Sequence, residues 1–91
     1  MPRQARGVLS YFLRNPRAAD SLEGVVRFRL MQEAVQQTVE ETEAALAWLV
    51  DEGFLERRTP RAAPPLFLLN HERQGEAETF VRRSRRPPVR S

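Results

Sequence analysis

Residues 38–58 read TVEETEAALAWLVDEGFLERR, and this stretch decides the architecture. Thr38, followed three residues later by Glu41, has the form of a capping box, in which each side chain satisfies an amide the helix start leaves unpaired. Val39, Thr42, Leu46, Leu49 and Val50 then recur at helical spacing and mark one buried stripe. Gly53 stands just past the last periodic residue, where a left-handed residue ends a helix. Residues 54–58 (FLERR) follow as a strand, pair with a second strand over 66–70 (LFLLN), and enclose a loop with Pro60, Pro64 and Pro65. Those prolines stiffen the loop and remove amide donors that would invite edge pairing.

Upstream, Val8, Leu9, Phe12 and Leu13 predict a helix over 5–14, with Tyr11 beside the stripe and Asn15-Pro16 as its end. Asp20 and Glu23 form a second capping-box pattern ahead of Leu22, Val25, Val26 and Leu30, with Phe28 and Met31 alongside. These residues wrap most of the way round, which predicts that this second helix is the central one. Gly24 within it suggests close approach by a neighbouring helix. Residues 32–37 connect it to the capped helix, with Val35 as an anchor. Beyond Asn70, a short helix over 71–83 would place Ala77, Phe80 and Val81 on one face, and Gly75 interrupts it. From Ser84 the chain is Arg- and Pro-rich, the composition of a flexible tail. The expectation is one domain over 1–83 followed by a tail over 84–91.

The pattern Thr38-x3-Thr42-x2-Ala45-Leu46-x2-Leu49-x3-Gly53-Phe54-Leu55 resembles the recognition helix and first wing strand of winged-helix regulators of the MarR and PadR type. With the two upstream helices the resemblance spans residues 5 to 70. It implies an α+β, mainly α fold: a winged helix-turn-helix of three helices and a two-stranded β-wing, with a short helix after it. It also implies double-stranded DNA as partner and transcriptional regulation as function. Every matched position is a core or capping residue, so the motif specifies architecture more firmly than function.

Charge is sharply segregated. Residues 1–19 carry Arg3, Arg6, Arg14 and Arg17 with no acid, and residues 20–56 set nine acids against Arg27 and Arg29. Residues 57–91 carry nine arginines against Glu72, Glu76 and Glu78, leaving the whole chain at +3. All fifteen cations are Arg, whose planar fork suits phosphate and carboxylate alike. In the family the resemblance points to, bases are read by outward residues early in the helix; here those positions hold Glu40, Glu41, Glu43 and Ala44. Carboxylates within roughly 8 Å of phosphates are not screened at physiological salt. If the chain holds DNA, contact falls to Arg57, Arg58 and Arg61 on the wing and to Arg82, Arg83, Arg85 and Arg86 in and before the tail. The alternative is a protein-interaction module that presents Glu40, Glu41, Glu43, Ala44, Trp48 and Asp51 to a basic partner, with Trp48 either core or an exposed anchor.

Nothing points to catalysis. His71 is the single histidine and reads as a solvent-facing residue after a strand, and no phosphate loop or metal-ligand spacing is present. The sequence therefore predicts no enzyme, no metal and no cofactor. The absence of cysteine excludes disulfides and leaves the redox compartment open. The absence of a signal peptide and of an apolar run near ~18 residues makes a cytoplasmic protein with no membrane contact the expectation. Homodimerisation stays open, since regulators of this fold commonly dimerise.

Overall fold

The computed structural model describes residues 1–33 and 39–85, with the side chains of 28–33 and 84–85 outside that description. The fold is α+β and mainly helical. In chain order it runs α1 (Ala5–Arg14), β1 (Ala19–Asp20), α2 (Leu22–Glu33), α3 (Val39–Asp51), β2 (Leu55–Arg58) and β3 (Leu66–Leu69). A 3-10 turn (His71–Arg73) then leads into α4 (Gln74–Arg85). The strands form an antiparallel sheet in the order β1-β3-β2.

Among the described residues the most enclosed helix is α1, while the residues that led the hydrophobic pattern to place α2 at the centre are only partly described. Ala5, Val8, Leu9 and Phe12 are fully buried, and α1 packs against α2, α3, α4 and β3. On α2, Val25 is buried while Leu22 and Val26 are half-buried; Phe28, Leu30 and Met31 lie outside the described side chains. The end of α1 matches expectation, because the Asn15 amide donates to the carbonyls of Tyr11 and Phe12 at 3.1 and 3.2 Å.

Strand β1 has no counterpart in the sequence reading, since two residues are too few for an alternating pattern. Ala19 pairs with Leu68 and Asp20 with Phe67. This placement also moves the cap of α2. Asp20 accepts a hydrogen bond from the Tyr11 hydroxyl, and Ser21 takes the capping role by accepting from the Gly24 amide at 3.2 Å. Gly24 therefore faces Asp20 and Ser21, the nearest atoms being 3.4 Å or more from where a Cβ would stand, and among the described residues no neighbouring helix approaches it that closely.

Helix α3 buries Thr42, Ala45, Leu46 and Leu49, the i, i+3, i+4, i+7 stripe of a surface helix. Val39, expected in that stripe, is 51 % exposed, and Val50 is half-buried. Thr38 and Val35 lie outside the described residues. The helix closes in a Schellman arrangement: the Gly53 amide reaches the Val50 carbonyl and the Phe54 amide reaches that of Leu49, both at 3.0 Å. Gly53 has φ +85°, the left-handed region where a Cβ is strained.

A fourth helix extends the three that the winged-helix resemblance implied. Gly75 sits in the first turn of α4 rather than interrupting it. Ala77 and Val81 are buried, and α4 packs on α1, so the apolar face of this helix is used within the chain. The helix continues to Arg85, past the expected boundary at 83, and residues 86–91 lie outside the described residues.

Two measurements check this account. Gly53→Ala combines a left-handed backbone with a Cβ that collides with the Arg73 guanidinium. Chemical denaturation should show a loss of about 1–2 kcal/mol. Tyr11 is the only tyrosine, and burial, then the Asp20 hydrogen bond and the Asp20 charge, push its phenol above its ordinary value of 10. An unfolded chain would ionise at that ordinary value, so the stabilisation is complete below it and is lost as pH rises above it. Tyrosinate absorbance should therefore appear only together with alkaline unfolding, and Tyr11→Phe should remove that slope; ionisation near pH 10 in a folded chain would refute the assignment.

Candidate interaction surface

Helical spacing places Glu40, Ala44, Ala47 and Asp51 on the outward face of α3, with Glu43 at one flank and Trp48 and Glu41 at the other. Glu40, Glu43, Ala44 and Asp51 are exposed, while Glu41, Ala47 and Trp48 are half-buried. α3 contributes no cation to this face. Acids in the first turn favour the helix N-terminus electrostatically, which accounts for Glu40 and Glu41 but not for Asp51 near the other end.

Trp48 belongs to both readings of the sequence. Its ring lies 5.7 Å from that of Phe80, which in turn lies 5.4 Å from Phe54. The aromatic run ties α3 to α4 and leaves Trp48 half-exposed, a structural anchor at the edge of the acidic face rather than its free centre. Phe80→Ala should shift the emission of this single tryptophan to the red and lower stability by about 2–4 kcal/mol, read by fluorescence-monitored unfolding.

The Glu43 flank opens into a cleft of about 510 Å³. Ser21, Leu22 and Glu23 from the start of α2 form one wall, and Glu43, Leu46 and Ala47 of α3 another. The hairpin closes the third side with Arg57, Pro64, Pro65 and Phe67. The volume is that of common ligand sites, roughly 300–1,000 Å³. Its interior is apolar and its charges stand at the rim. Glu23 already pairs with Arg27 at 3.1 Å, and the Arg57 guanidinium lies 5.5 Å from the Phe67 ring centre. No ion pair involves Glu43 among the described residues.

The expected DNA-contacting arginines do not converge on one surface. Register pairs Arg57 with Phe67 and Arg58 with Leu66, so alternation sends the two arginines to opposite faces of the sheet. Arg57 faces the helices and stacks at the cleft, whereas Arg58 lies on the outer face, 3.7 Å from Glu56. That pair is exposed on both sides and contributes little to stability. Arg61 is exposed in the loop, beside Ala62 with φ +61°. Arg82 and Arg83 are exposed on α4, and Arg82 shares a second groove of about 330 Å³ with Ser10, Leu13, Arg14, Glu78 and Val81. The side chain of Arg85 and all of Arg86 lie outside the described residues. His71 is exposed at the start of the 3-10 turn.

Sequence reasoning missed the cleft because its walls come from three separated segments. It also missed Arg73, which donates to the Glu52 carbonyl at 2.6 Å, pairs with Glu76 at 2.5 Å and covers the Phe54 ring at 5.2 Å. Only its position near a helix C-terminus, in a different element, could have signalled it. Among the described residues no group of His, Asp or Glu is arranged to hold a metal ion, and no helix is long and apolar enough to cross a membrane. Compared with family models, curated proteins and solved structures, the chain matches none.

Proposed function

We propose that the chain is a winged helix used for protein recognition, presenting the outward face of α3 and the adjoining cleft to a basic partner. The architectural part is supported by element order. A helix, a short strand, two helices and a hairpin, with the short strand beside the last one, agree with the order of parts expected of a winged helix and so support that reading. α3 then stands where such folds carry their recognition helix.

The functional part rests on one observation above the others. The outward residues of α3 are Glu40, Glu43, Ala44, Ala47 and Asp51, acids and small side chains without a cation, next to an apolar cleft. Inserting that face between phosphates brings uncompensated carboxylates within a Debye length of them. Against a basic protein surface the same charges steer association, and the alanines permit close approach. The interface assigned to this surface consists of Glu40, Glu41, Glu43, Ala44 and Asp51, with Trp48 at its edge. The reading assigns the chain no catalysis and needs no cofactor.

DNA contact through the hairpin is the second reading, carried by the exposure of Arg58 and Arg61. Titrating the chain with octa-arginine and with duplex DNA over a range of salt separates the two. On the protein-recognition reading the peptide binds with salt-sensitive affinity, and Glu40→Lys, Glu43→Lys and Asp51→Lys together weaken it by about tenfold or more. Duplex affinity stays low throughout. Tight duplex binding that falls when Arg58 and Arg61 become Ala, with no peptide binding, would reverse the assignment.

A further inference from the structure

The cleft beside α3 has a definite chemistry: an apolar floor of Leu22, Leu46, Ala47 and Phe67, with the Glu43 carboxylate at its rim. Arg57 is stacked on Phe67 and Glu23 is paired with Arg27, so Glu43 offers the rim charge that an incoming cation can take. An occupant that fits must bury a short apolar core, bring few unpaired amides into the cleft, and carry a cation beside that core.

One stretch of this chain has that chemistry. Residues 85–90 read RRPPVR, in which Pro87, Pro88 and Val89 are flanked by arginines. Consecutive prolines favour an extended backbone and have no amide donors to leave unsatisfied on burial. Arginine stems cover apolar walls while the guanidinium reaches a carboxylate, a charge-assisted contact.

Geometry favours a donor other than the same molecule. α4, which leads into this stretch, is held through Phe80 and Trp48 on the flank of α3 opposite Glu43 and the cleft. We propose that the cleft binds residues 85–90 of a second copy of the chain, Pro87, Pro88 and Val89 entering the apolar floor and Arg86 pairing with Glu43. Reciprocal exchange between two copies gives two identical contacts about a two-fold axis and closes as a dimer. The inference rests on the protein-recognition reading of this surface and names its partner.

Sedimentation equilibrium of the full chain, at low and at physiological salt, tests it. The expected result is a monomer–dimer equilibrium that weakens as salt rises. Glu43→Arg and Arg86→Glu each remove both symmetry-related pairs and should each weaken dimerisation about a hundredfold, roughly tenfold for each charge-assisted contact. The two together should restore most of it, because the pair is re-formed with its signs exchanged. Glu43 is exposed, so circular dichroism of each variant should show that the fold is kept. A synthetic peptide of residues 84–91, SRRPPVRS, should compete with dimerisation. A monomer at every concentration, unchanged association in both single variants, or no recovery in the double variant would each overturn the proposal. A monomer that still binds octa-arginine through α3 loses this inference and keeps the recognition reading; failure of both measurements removes both.

Discussion

The turn that ends α3 is the constraint on which the rest of the fold depends. Gly53 takes the left-handed conformation, and the carbonyls of Leu49, Val50 and Glu52 at the helix end each find a partner. Asn70, just past β3, donates to the Gly53 carbonyl at 2.8 Å, while its own amide meets the Phe54 carbonyl at 3.0 Å. Arg73 donates to the Glu52 carbonyl at 2.6 Å and lies over Phe54. One helix end is thus tied to the far end of the hairpin and to the start of α4. A cation at a helix C-terminus also interacts favourably with the macrodipole. The direction of the hairpin relative to α3, and hence the cleft between them, follows from this junction.

That junction explains why charge segregation in the sequence does not become a simple basic surface in the fold. Of the arginines past residue 56, Arg73 is used to close α3, and Arg57, though exposed, lies over Phe67 on the helix-facing side of the hairpin. Arg58 and Arg61 remain outward on the hairpin and Arg82 and Arg83 on α4, which are separate elements. The acids fare differently. A single helix carries Glu40, Glu43 and Asp51 at spacings that align them, so their field adds over one face. A smaller number of charges on one rigid element makes a better-defined surface than a larger number distributed over several.

Much of the fold was legible from local pattern, and the failures have physical reasons. The limits of α1, the stop at Gly53 and the two hairpin strands follow from side-chain period, proline and glycine, which act over a few residues. The two-residue β1 exists only because β3 offers Leu68 and Phe67 as partners, and no local pattern encodes that. Asp20 looked like a cap because its spacing to Glu23 is right, but the Tyr11 hydroxyl competes for its carboxylate and Ser21 takes the role. α2 looked central because its apolar residues encircle it, whereas among the described residues α1, with small Ala5 beside Val8, Leu9 and Phe12, is the most enclosed helix. At the candidate site the acidic face was legible residue by residue. The cleft was not, because Leu22, Leu46 and Phe67 are brought together only by tertiary packing.

An apolar cleft left open to water forgoes stabilisation of about 25 cal/mol for each Å² that remains hydrated. A hairpin free to fold down onto α3 would recover it. The loop carries features that oppose such closure: Pro60, Pro64 and Pro65 fix three backbone angles, and Ala62 occupies the left-handed region that a residue with a Cβ adopts at a cost. Arg57, stacked on Phe67, adds a bulky charged group where the hairpin would have to approach Glu43 and Ala47. A small domain has little stability to forgo, so holding the cleft open with a stiff loop and a strained residue is more readily explained by an occupant than by packing alone. For the proposed occupant, walls fixed beforehand would leave less ordering entropy to overcome on binding.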